Sequence, residues 1–367
     1  MVQLNAPQIG EEEIAAVAKV MRSGLLTHGL GAGPMVIKFE RAFAKFAEAR
    51  YAIAVNSGTS GLHLALVAAG VEKGSEVVLP SFTFVATAEV IAMIGAKPVF
   101  VDIEPLTYNI SADQVEDAVT EKTKAVMPVD LYGLPVDMKP MREVADKHGL
   151  AIIEDSCQAH GASYRGKPPG AFADVACWSF YASKNMTTGE GGMITTSSSE
   201  LAEKMRLMRS HGEKEKYTSL VLGHNYRMPE IEAAIGSVQL RRLPEFAARR
   251  QRNAEDLSER LKKAEKLQSP YVPKLCRHSW YLYTLRLKGA DNTRRDGVAA
   301  KLKEKGISVE AYYRNPIHLM PYYRRFGKRR LPETEKAANQ VLSLPVHPAV
   351  TMDQIDYIGR SVVEVYS

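Results

Sequence analysis

The sequence predicts an α/β protein, a mostly parallel sheet covered by helices on both faces and followed by a smaller α/β unit. Three observations predict it. Short apolar, β-branched runs alternate with amphipathic ones through the first two-thirds of the chain, the pattern of strands joined by crossover helices. The strand runs are apolar on both sides, as strands covered on both faces are. Near residue 240 the pattern changes to long helical stretches, and a strand–helix–strand succession follows.

Taken in order, "YAIAVNSG" is a strand entering a turn, and "TSGLHLALVAAG" a helix ended by glycine. "EVVLP", helical "TAEVIAMIGA" and "PVFVDIE" continue the alternation. "AVMPVDLYG" is a further strand, followed by helix "MKPMREVADKHG" and strand "LAIIEDSC"; "VACWSF" and "GMITT" complete the set. Beyond them "PEIEAAIGSVQLRRL" and "EFAARRQRNAEDLSERLKKAEK" are helical, with Pro244 between them expected to break or kink the helix. "WYLYTLRLKG", "DGVAAKLKEKGI" and "SVEAYY" then give strand, helix, strand. The expected division is 1–245 for the large unit and 246–367 for the small one. No repeat and no low-complexity tract interrupts it.

Composition narrows the function. Apolar residues at 45% and charged residues at 25% are ordinary for a soluble globular chain. No run approaches the eighteen or so apolar residues of a membrane span, and the N-terminus lacks the basic start and apolar core of a secretory signal. Cys157, Cys177 and Cys276 form no CxxC pair, which argues against a disulfide framework or a zinc site and fits a reducing cytoplasm. The net charge of +6 gathers in "RRLPEFAARRQR" and "YYRRFGKRR", but 42 acidic residues are interspersed and no nucleic-acid motif appears. A solvated face, with no nucleic-acid partner, is the expectation.

In such sheets ligands collect beyond the carboxyl ends of the strands, so chemistry is sought there. "SGTSG" after "IAVN" aims helix N–H groups and the helix dipole at one spot, a phosphate site or simply a well-capped helix. "VVLPSFTF" sets Phe82 and Phe84 past a strand, as core residues or with one ring flat on a planar cofactor. The acidic pair of "LAIIEDSCQAHG" follows a buried strand and is costly there unless something pairs with it. A cationic ring nitrogen would do so at Asp155, with Gln158 suited to a second contact; a metal would need ligands beyond His160 that the sequence does not supply. Ser179 and Lys184 in "CWSFYASKNMTTGEGG" lie at the next strand end. Phosphate cradle, stacking ring, buried acid and lysine together describe a pocket for pyridoxal 5′-phosphate, which needs an amine for an imine and a carboxylate to keep its ring nitrogen protonated.

The succession "NSGTSGL", "PSFTFVATA", "EDSCQAHGA", "SFYASKNMTTGEGG" and "NYRMPEIEAAIG" closely resembles the DegT/DnrJ/EryC1/StrS family of sugar aminotransferases. The resemblance runs from "GLLTHGLGAGPMVIKFERAFA" to "SLPVHPAVT". It implies a fold-type I enzyme with a seven-stranded sheet, acting on a keto sugar that is usually nucleotide-linked, by a two-stage transfer in which glutamate or glutamine gives up its amino group first. It implies that Lys184 forms the imine with the cofactor and carries protons, that Asp155 pairs with the pyridinium nitrogen, and that Gln158, where many relatives have histidine, contacts the ring hydroxyl. Phe84 would stack on the ring, with Phe82 as the fallback. Gly58, Thr59 and Ser179 would hold the phosphate, and Asn225 would reach it from the neighbouring subunit of a homodimer with composite sites. "EAYYRNPIHLMPYY" resembles the family segment near the sugar nucleotide, which makes Tyr313 and His318 substrate candidates, with Arg227 for the donor carboxylate. Packing roles for Tyr313, Tyr322 and His318 stand beside that expectation.

Four rivals are weighed against it. Dehydratases of the same family carry histidine at the lysine position, whereas residue 184 is lysine. Cyclitol or aromatic-amine-precursor aminotransferases share the core motifs. A cofactor-sensing regulator would need a DNA-reading domain, and the large unit starts within about the first fifty residues, which leaves no room for one. A dehydrogenase lacks its G-x-G-x-x-G turn after a first strand.

Overall fold

The computed structural model describes residues 1–366. Seven strands form the central sheet: β1 (Tyr51–Val55), β2 (Glu76–Pro80), β3 (Lys97–Val101), β4 (Thr123–Val126), β5 (Ala151–Asp155), β6 (Val175–Ser179) and β7 (Gly192–Thr196). Their spatial order is β1-β7-β6-β5-β4-β2-β3. All run the same way except β7, which is antiparallel to both β1 and β6. The carboxyl ends of β2, β4, β5 and β6 therefore open on one edge, with the start of β7 beside them.

Helices cover the sheet: α1 (Glu11–Ser23), α2 (Pro34–Phe46), α3 (Gly58–Ala68), α4 (Ala86–Ile94), α5 (Met138–His148) and α6 (Ser199–Arg209). Helix α3 is buried almost all round because it lies on β6 and β7 with α4 and α6 against it. Two left-handed glycines, Gly95 and Gly149, end α4 and α5 where the sequence places helix stops.

Helix α7 (Glu230–Leu261) departs from expectation. Pro244 lies within it, and the helix runs on for 32 residues. The neighbours hold it: Leu243 packs in the core with Phe39, Phe43 and Trp178, while Ala254, Leu257 and Leu261 enter a second core. Packing at both ends outweighs the lost backbone hydrogen bond. The second core surrounds an antiparallel sheet of β8 (Leu267–Gln268), β9 (Tyr283–Leu287) and β10 (Val341–Leu344), with α8 (Asn292–Glu304), α9 (Pro332–Gln340) and α10 (Met352–Tyr366). Val2 joins it through a bridge to Ile307. The expected strand "SVEAYY" is absent; only Glu310 touches the sheet, by a bridge to Ser343. The third strand is instead "VLSL" of β10, buried at every position.

Around β1 one buried ion pair ties three elements together. Arg209 Nη1 donates to Glu40 Oε1 at 2.7 Å and to the Ala54 carbonyl at 2.9 Å, and the Ala54 N–H donates to the same Glu40 oxygen at 2.8 Å. Arg209→Ala leaves the Glu40 carboxylate buried without its cation. It is expected to lower stability by about 3–5 kcal/mol in urea unfolding, whereas Glu40→Gln combined with Arg209→Met recovers part of that loss.

Candidate active site

The first turn of α3 forms one wall of the site. Ser57 caps it by accepting the Ser60 N–H at 3.1 Å, so the N–H groups of Gly58 and Thr59 open the helix with no intrahelical acceptor. Two glycines let neighbours approach this turn. A Cβ at Gly58 would lie 2.7 Å from the Cys157 sulfur and 2.9 Å from Ser179 Cβ. A Cβ at Gly192 would lie 2.5 Å from the Ser57 carbonyl and 2.7 Å from the Gly58 nitrogen. Ser179 ends β6 with its hydroxyl beside the turn, accepting the Tyr181 N–H at 3.3 Å. The cradle has donors, no side-chain bulk, and the positive end of a helix.

Asp155 ends β5 and is 6% exposed. Its carboxylate accepts from Thr87 Oγ1 at 3.1 Å and from the Cys157 N–H at 3.2 Å. No lysine, arginine or histidine among the described residues forms an ion pair with it. A buried carboxylate held by two neutral donors lacks its counter-charge. Cys157, half-buried beside it, is no competing nucleophile: burial first, then Asp155, pushes its thiol well above the usual range. The two phenylalanines separate cleanly. Phe82 is fully buried among Tyr108, Tyr132 and Tyr313, whereas Phe84 is 56% exposed and free to cover a planar ligand.

Gln158 is buried, and its amide orientation is set by the backbone. Oε1 accepts the Tyr132 N–H at 2.8 Å, which leaves Nε2 to donate toward the site; one of its hydrogens goes to the Tyr313 hydroxyl at 3.1 Å. Tyr313 meets Phe82 and Phe84 edge-on or tilted. Burial, then the Tyr281 hydroxyl, hold its phenol well above 10, so it stays a neutral donor. Lys184 stands on a turn closed by its own N–H to the Tyr181 carbonyl at 2.9 Å. Its amine is half-buried, lies 4.5 Å from the Tyr281 ring centroid, and has no carboxylate partner among the described residues. Tyr281 is itself fixed by Ser183 Oγ at 2.9 Å. Both Asp155 and Lys184 act electrostatically on the Cys157 thiol, which puts the acid and the amine in its neighbourhood.

Other candidates stand apart. His318 is 3% exposed, with Nδ1 on Ser81 Oγ at 2.7 Å and Nε2 at 3.4 Å from Glu335, so it presents no free ring nitrogen. It ties the 317–319 turn to the end of β2, a packing role. His160 is fully buried against Trp178 and Phe180, and burial pulls it down to about 3. Arg227 reaches Ser210 Oγ at 3.1 Å, on the far side of β1. Asn225 is exposed, next to exposed Leu220, Val221 and Leu222. Thr87, Tyr132 and Tyr281 belong to the site and went unremarked in the sequence. Only Thr87 left a signal, one helical turn after Phe84.

A family model described as the DegT/DnrJ/EryC1/StrS aminotransferase family matches residues 7–363. The chain belongs to this family. It is 42% identical to a pleiotropic regulatory protein of Geobacillus stearothermophilus, over 98% of this chain and 95% of that protein. It is 40% identical to the GDP-perosamine synthase of Caulobacter vibrioides, over 99% of this chain and 98% of the synthase. A solved structure from Streptococcus pneumoniae, described as a sugar aminotransferase in PLP form, superposes with a TM-score of 0.94 at 28% identity, covering 100% of this chain and 98% of that one. The chain is thus a sugar aminotransferase of this family, and pyridoxal phosphate is the cofactor that the family implies.

The residues present fit that cofactor. The carboxylate without a cation suits a pyridinium nitrogen, the amine without an anion suits an aldehyde, and the glycine-lined helix start suits a phosphate. Gly58→Ala and Gly192→Ala each crowd this cradle by an overpacking of about 1–3 kcal/mol. Absorbance titration is expected to show weaker pyridoxal phosphate binding with far-UV circular dichroism unchanged; binding as tight as wild type contradicts the placement.

Proposed function

We propose that this enzyme moves an amino group from L-glutamate or glutamine to a nucleotide-linked keto sugar, working in the cytoplasm as a homodimer. The observation that carries this is the pair of opposite, unmatched charges around Cys157: buried Asp155 and half-buried Lys184, neither with an ionic partner of its own. Bound pyridoxal phosphate supplies the electron-withdrawing ring and the aldehyde through which nitrogen is carried from donor to acceptor.

The chain's own residues do the rest. Gly58, Thr59 and Ser179 bind the phosphate through backbone N–H groups and a hydroxyl, at a helix start that favours the anion. Asp155, oriented by Thr87 and the Cys157 N–H, keeps a proton on the ring nitrogen. Gln158 can only donate toward the pocket, because Tyr132 occupies its oxygen; it therefore meets an oxyanion, as a ring hydroxyl that has lost its proton would present. Phe84 covers the outer face and excludes water from it. Lys184 provides the amine that binds the cofactor and, once released, holds and returns the proton at the reacting carbon. Tyr281 beneath it supplies a π face that favours the charged amine and narrows its swing. Tyr313, a neutral phenol at the edge of the pocket, is the substrate-facing donor, and Arg227, held by Ser210 beyond β1, is given no role in this protomer's pocket.

The homodimer is supported by Asn225. It is exposed on one protomer, shortly after exposed Leu220, Val221 and Leu222, and a phosphate contact from the neighbouring subunit is what the resemblance implies for it. A symmetric pairing would carry it into the second site. His318, with both nitrogens engaged, is given no substrate role.

Two outcomes are expected. Lys184→Ala keeps the fold but loses turnover by on the order of 10²–10⁴-fold or more, and borohydride treatment of the loaded wild type fixes the cofactor on the peptide that holds Lys184; fixation elsewhere contradicts the assignment. Mixing inactive Lys184→Ala with Asn225→Ala protomers regains activity only if the sites are composite, because mixed dimers then hold one intact site.

A further inference from the structure

Behind the pocket two carboxyl groups are buried together. Asp130, in the turn after β4, is fully buried, and Glu154, one residue before Asp155 on β5, is 1% exposed. Successive strand residues point to opposite faces, so Glu154 looks away from the pocket that Asp155 looks into. There it lies against the carboxyl of Asp130, whose Oδ2 is buried with no hydrogen-bond partner among the described residues, and its Oε2 accepts the Gly170 N–H at 2.6 Å. Asp130 Oδ1 accepts the Val136 N–H at 3.0 Å. The groups that face the pair are the Asp155 carboxylate, the Ser156 hydroxyl and the Cys276 thiol. No cation pairs with either carboxyl among the described residues. Two dry carboxyls in contact cannot both ionise.

The turn that the pair holds carries part of the site. Asp130 closes residues 130–136 through Val136, and its own N–H donates to the Asp155 carbonyl at 3.1 Å. Leu131 N–H donates to Asn109 Oδ1 at 3.2 Å. Tyr132 N–H then meets Gln158 Oε1 at 2.8 Å and so decides which end of that amide faces the ligand.

We propose that Asp130 and Glu154 are positioning residues: the proton held between them locks the 130–136 turn onto β5 and, through Tyr132, sets Gln158 and Asp155 for the cofactor. This rests on the pyridoxal phosphate reading of the pocket. The lock has a direction in pH. Burial pushes Asp130 up to about 7 and Glu154 well above the usual carboxylate range. Both hold protons that the unfolded chain would release, so what the pair contributes is whole below the ordinary carboxylate range and is lost as pH rises. The first proton leaves near 7 and leaves an acid–carboxylate hydrogen bond. The second, held by Glu154 above the usual carboxylate range, opens the lock as pH rises further.

The test compares full-length wild type, Glu154→Gln and Glu154→Leu across pH. Two quantities are measured: hydrogen-exchange protection of residues 130–136 without cofactor, corrected for the intrinsic rate, and the dissociation constant of pyridoxal phosphate. Wild type is expected to lose both together on the alkaline side. Glutamine donates a permanent N–H to Asp130 and cannot ionise, so that variant keeps both across the same range. Leucine weakens cofactor binding by about tenfold at every pH, the size of one lost hydrogen bond to a buried charged group. The proposal is overturned if Glu154→Gln shows the wild-type alkaline loss, or if Glu154→Leu keeps wild-type protection and affinity. A wild type that binds no pyridoxal phosphate would sink the pocket assignment and, with it, the positioning role, while the exchange data would still report whether the pair locks the turn.

Discussion

The site is organised around a carboxylate that the protein buries and does not neutralise. Asp155 is fixed by a hydroxyl and a backbone N–H, both neutral, at the closed end of a strand. Holding a charge there is unfavourable until a cation arrives. A protonated ring nitrogen is such a cation, and binding it converts a structural cost into affinity and into electron withdrawal at the reacting carbon. In the proposed function the rest of the pocket follows from where that nitrogen would sit: a phosphate at the α3 start, Phe84 over the ring face and Lys184 beside Cys157.

Close approach makes this arrangement possible. The α3 turn, the end of β6 and the start of β7 meet at distances that only glycine at 58 and 192 permits. The antiparallel β7 is part of the same solution, since it brings Gly192 back against Ser57. From the other side, residues that come after α7 in the chain close the pocket. Tyr281 lies under the amine and Tyr313 against Gln158.

Much of this was legible in the sequence, for reasons that can be stated. Strand ends are marked by apolar runs stopping at polar residues, so Asp155, Ser179 and Lys184 stood out individually, and the parallel order put them on one edge. What escaped depends on contacts between residues far apart in the chain. Tyr281 sits in an apolar strand pattern and gives no local sign that it faces Lys184, far away in the chain. The amide of Gln158 is oriented by a backbone N–H that no motif displays. For His318 the resemblance and a packing role stood side by side, because the sequence does not show that its two ring nitrogens are engaged by Ser81 and Glu335. Pro244 misled because local backbone preference was outvoted by packing on both sides of α7, and "SVEAYY" has a strand's composition but meets the edge strand β10 at Glu310 alone, by a bridge to Ser343.

The most direct test of the central claim is the protonation state of the ligand's ring nitrogen. Nitrogen-15-labelled pyridoxal phosphate bound to wild type and to Asp155→Asn would be compared by NMR at neutral pH. The account predicts a pyridinium shift in wild type and a neutral pyridine shift, with weaker binding, in the variant. An unprotonated ring in wild type, or the same shift in both proteins, would contradict it.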